Sequence, residues 1–254
     1  MRSTGSVWLL SLLPPATAVL LCIAVWGAIP LLFQVDSFIL PSPAATLAAA
    51  IEYRQPLFLN AVQTLSTTLA GFGIALLGGV GLGAAIGSSR IAARALNPLL
   101  IGFNSVPKVA LAPLLVLWFG IGTVPAILMA FLLSFFPIVV NVSVGIGTIE
   151  PELMDLLRSL RATKLDIVRK VGLPRSVPYL FASLKVALTL ALVGSIVSET
   201  VGANAGLGHL VLEASASFRV PLLFAALIIA AVMGVGLYAS ASLVERWVSV
   251  PVKR

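Results

Sequence analysis

The chain has 254 residues, of which 59% are hydrophobic and 10% are charged, with a formal net charge of +7 at pH 7. Soluble domains are typically about 45–50% apolar and about 25% charged, so this composition excludes an ordinary soluble protein and indicates a bilayer protein. The single cysteine, Cys22, excludes a disulfide framework within one chain, and with only one histidine it argues against a His/Cys metal site.

Six apolar segments are long enough to cross a membrane, since a spanning helix needs about 20 mostly apolar residues. They are residues 9–33, 65–87, 98–119, 124–147, 181–203 and 220–244. The first contains Ala16-Thr17-Ala18, which resembles a signal cleavage site, but the apolar run continues to Phe33. That continuation favours an uncleaved first helix.

The basic residues lie mainly in alternate loops. Twelve of the sixteen fall on one predicted side, and only Arg54 and Arg219 fall on the other. This asymmetry predicts that both termini and the 148–178 loop are cytoplasmic. It also excludes nucleic acid as the partner, because the charge is spread over separate loops.

The second segment, residues 65–87, contains seven glycines. Gly79, Gly83 and Gly87 repeat every four residues, a spacing that lets membrane helices approach closely. The pattern predicts close packing, either within one bundle or at a seam between two copies.

Residues 150–178 form the long polar loop. Its leucines at 153, 156, 157 and 160 make an apolar stripe on a helix. Thr163 and Asp166 resemble a capping box and predict a second short helix, which ends near Leu173-Pro174. Two interpretations are open: an amphipathic loop resting on anionic lipid, or a docking element for a soluble partner.

Two ionisable residues lie at predicted membrane depth, Lys108 and Glu199. Because an unpaired charge is costly there, we expect each to face a cavity or the other. Lys108 follows Pro107, so it is expected at a helix break, where it either lines the path for an anion or has a structural role. Glu199 either contacts substrate or makes a gating or structural hydrogen bond. Lys185 is expected to extend towards the cytoplasmic interface. His209 is expected in an outer loop beside Gly208, with a structural role.

The polar loop resembles the signature loop of ABC importer permeases, which runs Glu-Ala-Ala, three residues, Gly, nine residues, then Ile-x-Leu-Pro. Here Asp155-Leu156-Leu157 occupies the first position, and Val171-Gly172-Leu173-Pro174 matches the close at the right spacing. Arg161 stands where the family has glycine. We therefore expect the turn to shift to Ala162-Thr163, because arginine rarely adopts glycine's backbone angles.

Further motifs resemble the nitrate, sulfonate and taurine subgroup of these permeases. They occur in order between about residues 38 and 245, and include Phe38 to Pro43, Pro107 to Leu114, Leu117 to Gly120, Phe136-Pro137 and Gly206-Leu207-Gly208.

The resemblance implies an all-α membrane protein with the six-helix type I importer permease fold and cytoplasmic coupling helices between helices 4 and 5. It implies an N-terminal helix and periplasmic segment (1–60), a permease domain of five helices (61–245) and a short cytoplasmic tail (246–254). The implied ATPase-docking residues are Asp155, Leu156, Leu157, Arg158, Arg161, Ala162, Thr163, Leu173 and Pro174. Pro107, Lys108 and Glu199 are pathway candidates.

The implied partners are two cytoplasmic ATPase subunits, a second permease copy, a periplasmic or tethered binding protein, and lipid. ATP and Mg²⁺ belong to the ATPase partner. This chain has no phosphate loop of the Gly-x-x-x-x-Gly-Lys-Ser/Thr type and no catalytic set, so it is not expected to be an enzyme.

The function implied is import of a sulfonate, taurine or nitrate-like anion. A pyrimidine vitamin precursor or another small organic solute is the alternative within the same class. A stand-alone secondary transporter would show inverted repeats, and a membrane enzyme would show a convergent catalytic cluster; neither pattern is evident.

Overall fold

The computed structural model describes residues 4–147, 157, 159–160, 162–167, 170–171 and 173–249. Most residues in these ranges are helical. The helices are α1 (Thr4–Phe33), α2 (Pro43–Glu52), α3 (Arg54–Ser88), α4 (Arg90–Ser105), a 3₁₀ turn (Lys108–Leu111), α5 (Ala112–Phe119), α6 (Thr123–Gly147), α7 (Lys164–Ile167), α8 (Leu173–Gly202), α9 (Leu207–Ala216) and α10 (Val220–Ser249).

Four of these helices, α3, α6, α8 and α10, are long and apolar enough to cross a membrane. The segment predicted as one span over 98–119 is instead a bent pair, in which residues Ile91–Ser105 and Lys108–Phe119 meet at 77°. In α1, the part Thr17–Phe33 is a shorter apolar helix. The all-helical membrane fold is confirmed, and so is the break expected in the third segment at Pro107.

Helices α3, α6 and α8 form the centre of the bundle, and glycines allow their close approach. A Cβ at Gly83 would lie 2.7 Å from Val139 O, and a Cβ at Gly87 would lie 2.8 Å from Ser143 O on α6. On α8, a Cβ at Gly194 would lie 2.6 Å from Met129 O. The predicted close packing is therefore found within one bundle.

Two short helices were not predicted. For α2, the local signals were present: Ser42 accepts a hydrogen bond from the Ala45 N–H at 3.2 Å, and Pro43 opens the helix. Trp26 Nε1 donates to Pro41 O at 3.0 Å and so fixes this corner to α1. Helix α9 includes His209, which was expected in an outer loop.

Two predicted boundaries fall inside helices. The division at residue 60 lies within α3, which begins at Arg54, and residue 246 lies within α10. Leu173, expected near the end of a loop helix, is the first residue of α8. Pro174 follows in the first turn of that helix, where a missing N–H removes no helical hydrogen bond.

Candidate functional site

The broken third span places Lys108 at a corner of the backbone. Val106 is extended (φ −69°, ψ 131°), as expected before a proline, and Pro107 has no N–H to continue the helix. Lys108 Nζ donates to Asn104 Oδ1 at 2.8 Å and lies 3.3 Å from Asn104 O. The ammonium group therefore sits at the last turn of α4, where a cation is favourable.

The surroundings of Lys108 are otherwise aromatic. Its Nζ lies 5.9 Å from the ring centre of Phe103 and 5.8 Å from that of Phe136. The side chain is half-buried. The predicted position at a helix break is confirmed, while the role of Lys108 in the path stays a prediction.

Glu199 on α8 belongs to a buried polar network that joins three helices. Its side chain is 1% exposed. Thr64 Oγ1 donates to Glu199 Oε2 at 2.7 Å, and the Gly208 N–H donates to the same oxygen at 3.0 Å. Thr67 Oγ1 is 3.4 Å from Glu199 Oε1. Helices α3 and α8 therefore hold the Glu199 carboxyl group against the start of α9.

The network supplies the N-terminal cap of α9. Gly206 occupies the cap position and has no side chain to offer. Asn60 Oδ1 accepts from the Gly206 N–H at 2.6 Å, and Thr64 Oγ1 accepts from the Leu207 N–H at 2.7 Å. With Glu199 on the Gly208 N–H, three otherwise unpaired backbone donors are satisfied from α3 and α8.

Glycine is required at this junction for two physical reasons. Gly206 has φ +119°, a backbone conformation that other residues rarely adopt. A Cβ there would also lie 2.6 Å from Glu199 Oε1, and a Cβ at Gly208 would lie 2.8 Å from Glu199 Cβ. The Gly206-Leu207-Gly208 motif thus lets α9 approach the carboxyl group closely.

A cavity of about 320 Å³ adjoins this network. We call it the Glu199 cavity. Its polar lining residues are Gln63, Thr67, Thr123, Glu199 and Asn204. Among the described residues, no three His, Cys, Asp or Glu side chains lie close enough to hold a metal ion.

Lys108 and Glu199 are not partners, because Lys108 bonds to Asn104 and Glu199 bonds to α3 and α9. The expectation that Glu199 faces a cavity is confirmed, and a Lys108–Glu199 pairing is wrong. Asn60 and Thr64 were missed by sequence reasoning. Their spacing with Thr67 (i, i+4, i+7) places three polar groups on one face of α3, which was the available signal.

The loop between α6 and α8 contains the predicted capping box. The Thr163 N–H donates to Asp166 Oδ2 at 3.2 Å, and the Asp166 N–H donates to Thr163 Oγ1 at 3.2 Å. The hydrogen bonds from Thr163 lower the pKa of Asp166 from its usual value. The predicted start of a second loop helix is confirmed.

Ala162 and Thr163 lie outside helix, directly before α7, and the Ala162 N–H donates to Leu157 O at 3.0 Å. The predicted shift of the turn to Ala162-Thr163 stays a prediction. Leu157 is half-buried, whereas Leu160 is 71% exposed. The other predicted docking positions Asp155, Leu156, Arg158 and Arg161 lie outside the described residues.

Lys185 forms an ion pair across the bundle. Its Nζ lies 2.5 Å from Glu245 Oε2 on α10 and 5.8 Å from the ring centre of Tyr238. The side chain therefore connects α8 to α10 rather than simply extending to the interface. Lys185 lies on α8, the helix that leaves the polar loop, so the ion pair ties that helix to α10.

Residues 75–250 match the family described as binding-protein-dependent transport system inner membrane component. The chain belongs to this family. This binding-protein-dependent permease is therefore a membrane component of a transporter served by a binding protein. The predicted ABC importer permease family is confirmed.

Curated relatives of this permease are similar over most of their length. The riboflavin transport permease RibX of Chloroflexus aurantiacus is 36% identical, with 91% of this chain and 87% of RibX covered. The sulfonate permease SsuC of Escherichia coli, described as putative, is 33% identical with 88% and 86% covered. The formylaminopyrimidine permease ThiX of Halalkalibacterium halodurans is 31% identical with 78% and 80% covered.

The permease also resembles a solved transporter. A chain of the inward-facing MetNI methionine ABC transporter superposes with a TM-score of 0.65 at 22% identity, covering 73% of this chain and 93% of that chain. At this identity the likeness shows the fold alone. It confirms the type I importer permease fold predicted from the sequence.

Proposed function

We propose that this chain is the permease subunit of an ATP-driven importer whose motor is a separate cytoplasmic ATPase dimer. The proposal is carried by the loop between α6 and α8, which resembles the permease signature and contains the capped start of α7. Within this loop Leu160 exposes 71% of its surface, so its side chain is free to contact another protein.

The docking surface proposed for the ATPase consists of the loop positions identified by the signature. They are Asp155, Leu156, Leu157, Arg158, Arg161, Ala162, Thr163, Leu173 and Pro174. ATP and Mg²⁺ are bound by the ATPase in this account. Movement of the loop is passed to α8, which begins at Leu173. The Lys185–Glu245 ion pair then links α8 to α10.

A second permease copy is proposed to cover α4. The helix packs on α3, yet large apolar side chains on it are open: Ile91 is 82% exposed, Leu99 68% and Ile101 65%. Two copies meeting at this helix would bring their Lys108 corners towards a shared path. In this assembly both termini are cytoplasmic and a periplasmic or tethered binding protein delivers the solute.

For the substrate we propose a small sulfonate, taurine or nitrate-like anion that passes Lys108 and Pro107, with Glu199 further along the path. Lys108 supports this because the residue is half-buried at a break in a membrane helix. Relatives named for riboflavin and formylaminopyrimidine transport support the alternative, a small organic solute of the vitamin-precursor type.

The motor assignment is tested by isolating the assembly in mild detergent and measuring the ATPase subunit retained. Leu160→Asp places a charge at the proposed contact. Trp247→Asp is the matched control, because Trp247 is 84% exposed at the end of α10 on the same predicted side. We expect Leu160→Asp to lose the ATPase and Trp247→Asp to retain it.

Equal retention in both variants, or isolation of the parent chain with no ATPase, would contradict the assignment. The second result would instead favour a transporter that works alone.

For the pathway, Lys108→Ala is expected to impair uptake of an anionic substrate, and Lys108→Arg to preserve part of it. Unchanged uptake kinetics in Lys108→Ala would leave Lys108 with a structural role, the capping of the C-terminal end of α4.

A further inference from the structure

The Glu199 cavity has a chemical character different from that of the Lys108 corner. Among its polar lining residues only Glu199 is ionisable; Gln63, Thr67, Thr123 and Asn204 are not. None of the ion pairs formed by described residues involves Glu199. The lining of this cavity therefore offers a carboxyl group and no cation to a solute, which disfavours a bare anion.

The two oxygens of the Glu199 carboxyl group are unequally satisfied. Oε2 receives the Thr64 hydroxyl at 2.7 Å and the Gly208 N–H at 3.0 Å. Oε1 has only the Thr67 hydroxyl, at 3.4 Å. That hydroxyl has one proton and a nearer acceptor, Thr64 O at 3.0 Å. Because each carboxylate oxygen accepts about two hydrogen bonds, Oε1 has acceptor capacity to spare.

The arrangement separates a structural oxygen from an available one. Oε2 accepts a hydrogen bond from the first turn of α9. This bond holds the Glu199 carboxyl group in place whether or not a solute is present. Thr67, the neighbour of Oε1, lines the Glu199 cavity, whereas Thr64 and Gly208, the partners of Oε2, do not. Oε1 is therefore the oxygen to which we assign a hydrogen bond within the cavity. A cavity of about 320 Å³ is at the lower end of the range for small-molecule sites, roughly 300–1,000 Å³.

We propose that the Glu199 cavity binds the N–H-donating end of the transported solute, an ammonium or amino group, at Glu199 Oε1. This inference rests on the proposed transport function. It divides the candidate substrates by chemistry. Aminosulfonates and aminopyrimidines carry the required donor, whereas nitrate and simple alkanesulfonates do not.

The local charge preference is measured with a thiol placed in the cavity. Thr123→Cys is introduced with Cys22→Ser, which removes the one native cysteine. The labelling rates of a trimethylammonium and a sulfonate methanethiosulfonate reagent are each normalised to the rate with free 2-mercaptoethanol. We expect the cationic reagent to be favoured, and Glu199→Gln to reduce that preference on the order of tenfold.

The matched control is Asn60→Leu, which removes the acceptor of the Gly206 N–H and so weakens the α9 cap, while Glu199 and the cavity lining stay in place. It should keep the cationic preference. If Asn60→Leu reduces the preference as much as Glu199→Gln does, the effect comes from loosening of α9 and the proposal is overturned. A faster reaction with the sulfonate reagent in the parent protein overturns it as well.

The need for an N–H donor is tested by protection of the same thiol. Methylammonium and tetramethylammonium have the same charge, but only methylammonium carries N–H groups. We expect methylammonium to protect at a concentration at least about threefold lower, and sodium nitrate to give no protection. Equal protection by the two cations, or protection by nitrate, would contradict the proposal while leaving the ATPase-docking assignment unaffected.

Discussion

The substitution Thr64→Val removes one hydroxyl group from the Glu199 network and keeps the shape of the side chain. Thr64 is fully buried. Its hydroxyl donates to Glu199 Oε2 at 2.7 Å and accepts from the Leu207 N–H at 2.7 Å. The change therefore breaks two contacts between elements distant in sequence, and leaves a buried backbone donor without a partner.

The expected magnitude follows from hydrogen bonds measured between membrane helices, which average about 0.6 kcal/mol and reach about 1.7 kcal/mol. Two such bonds give a loss of about 1–3 kcal/mol in the free energy of unfolding. Thr68→Val is the matched control on the same helix. Thr68 is equally buried, but its hydroxyl has no hydrogen-bond partner within the described chain. We expect that change to be neutral or stabilising.

The assay is unfolding of the purified protein in mixed dodecylmaltoside–SDS micelles, followed by circular dichroism. Thr64→Val should unfold at lower SDS than the parent protein, and Thr68→Val at the same or higher SDS. If Thr64→Val changes the free energy by less than about 0.5 kcal/mol, or if both variants lose equal stability, the network does not hold α9 as described.

Three further predictions concern packing, charge and pH. Gly83→Ala should destabilise by about 1–3 kcal/mol in the same unfolding assay, because its Cβ would meet Val139 and Val142, whereas Gly81→Ala, with nothing within 4 Å, should not. Lys185→Glu and Glu245→Lys should each reduce stability, and the double exchange should restore part of it in a double-mutant cycle. In a ¹³C NMR titration, the pKa of Asp166 should lie below that of an ordinary exposed aspartate, because Thr163 donates hydrogen bonds to its carboxylate. Its lowered pKa means that its contribution to α7 is present at neutral pH and is lost as pH falls through the folded-state pKa.

Features encoded by neighbouring residues were predictable from the sequence. The start of α7 was predicted from Thr163 and Asp166 because a capping box uses groups three residues apart. The break at Pro107 was predicted because proline lacks an N–H and restricts the residue before it. Its angle of 77° was not, because that angle depends on what α4 and α5 pack against.

Features encoded across the bundle were not predictable from one sequence. The main partner of Glu199 is Thr64, 135 positions away, and no local pattern pairs them. Helix α9 was missed for the same reason. Its first residues carry no capping side chain of their own, since Asn60, Thr64 and Glu199 supply the caps from other helices. His209 was consequently assigned to a loop.

The most direct test of the account is photo-crosslinking from position 160 in living cells. Benzoylphenylalanine replaces Leu160, whose side chain is 71% exposed at the turn of the polar loop. The account predicts a covalent adduct with a nucleotide-binding ATPase subunit, and loss of that adduct when the turn is disrupted by Thr163→Pro. Adducts with lipid alone, or labelling of position 160 by an impermeant reagent added outside the cell, would contradict it.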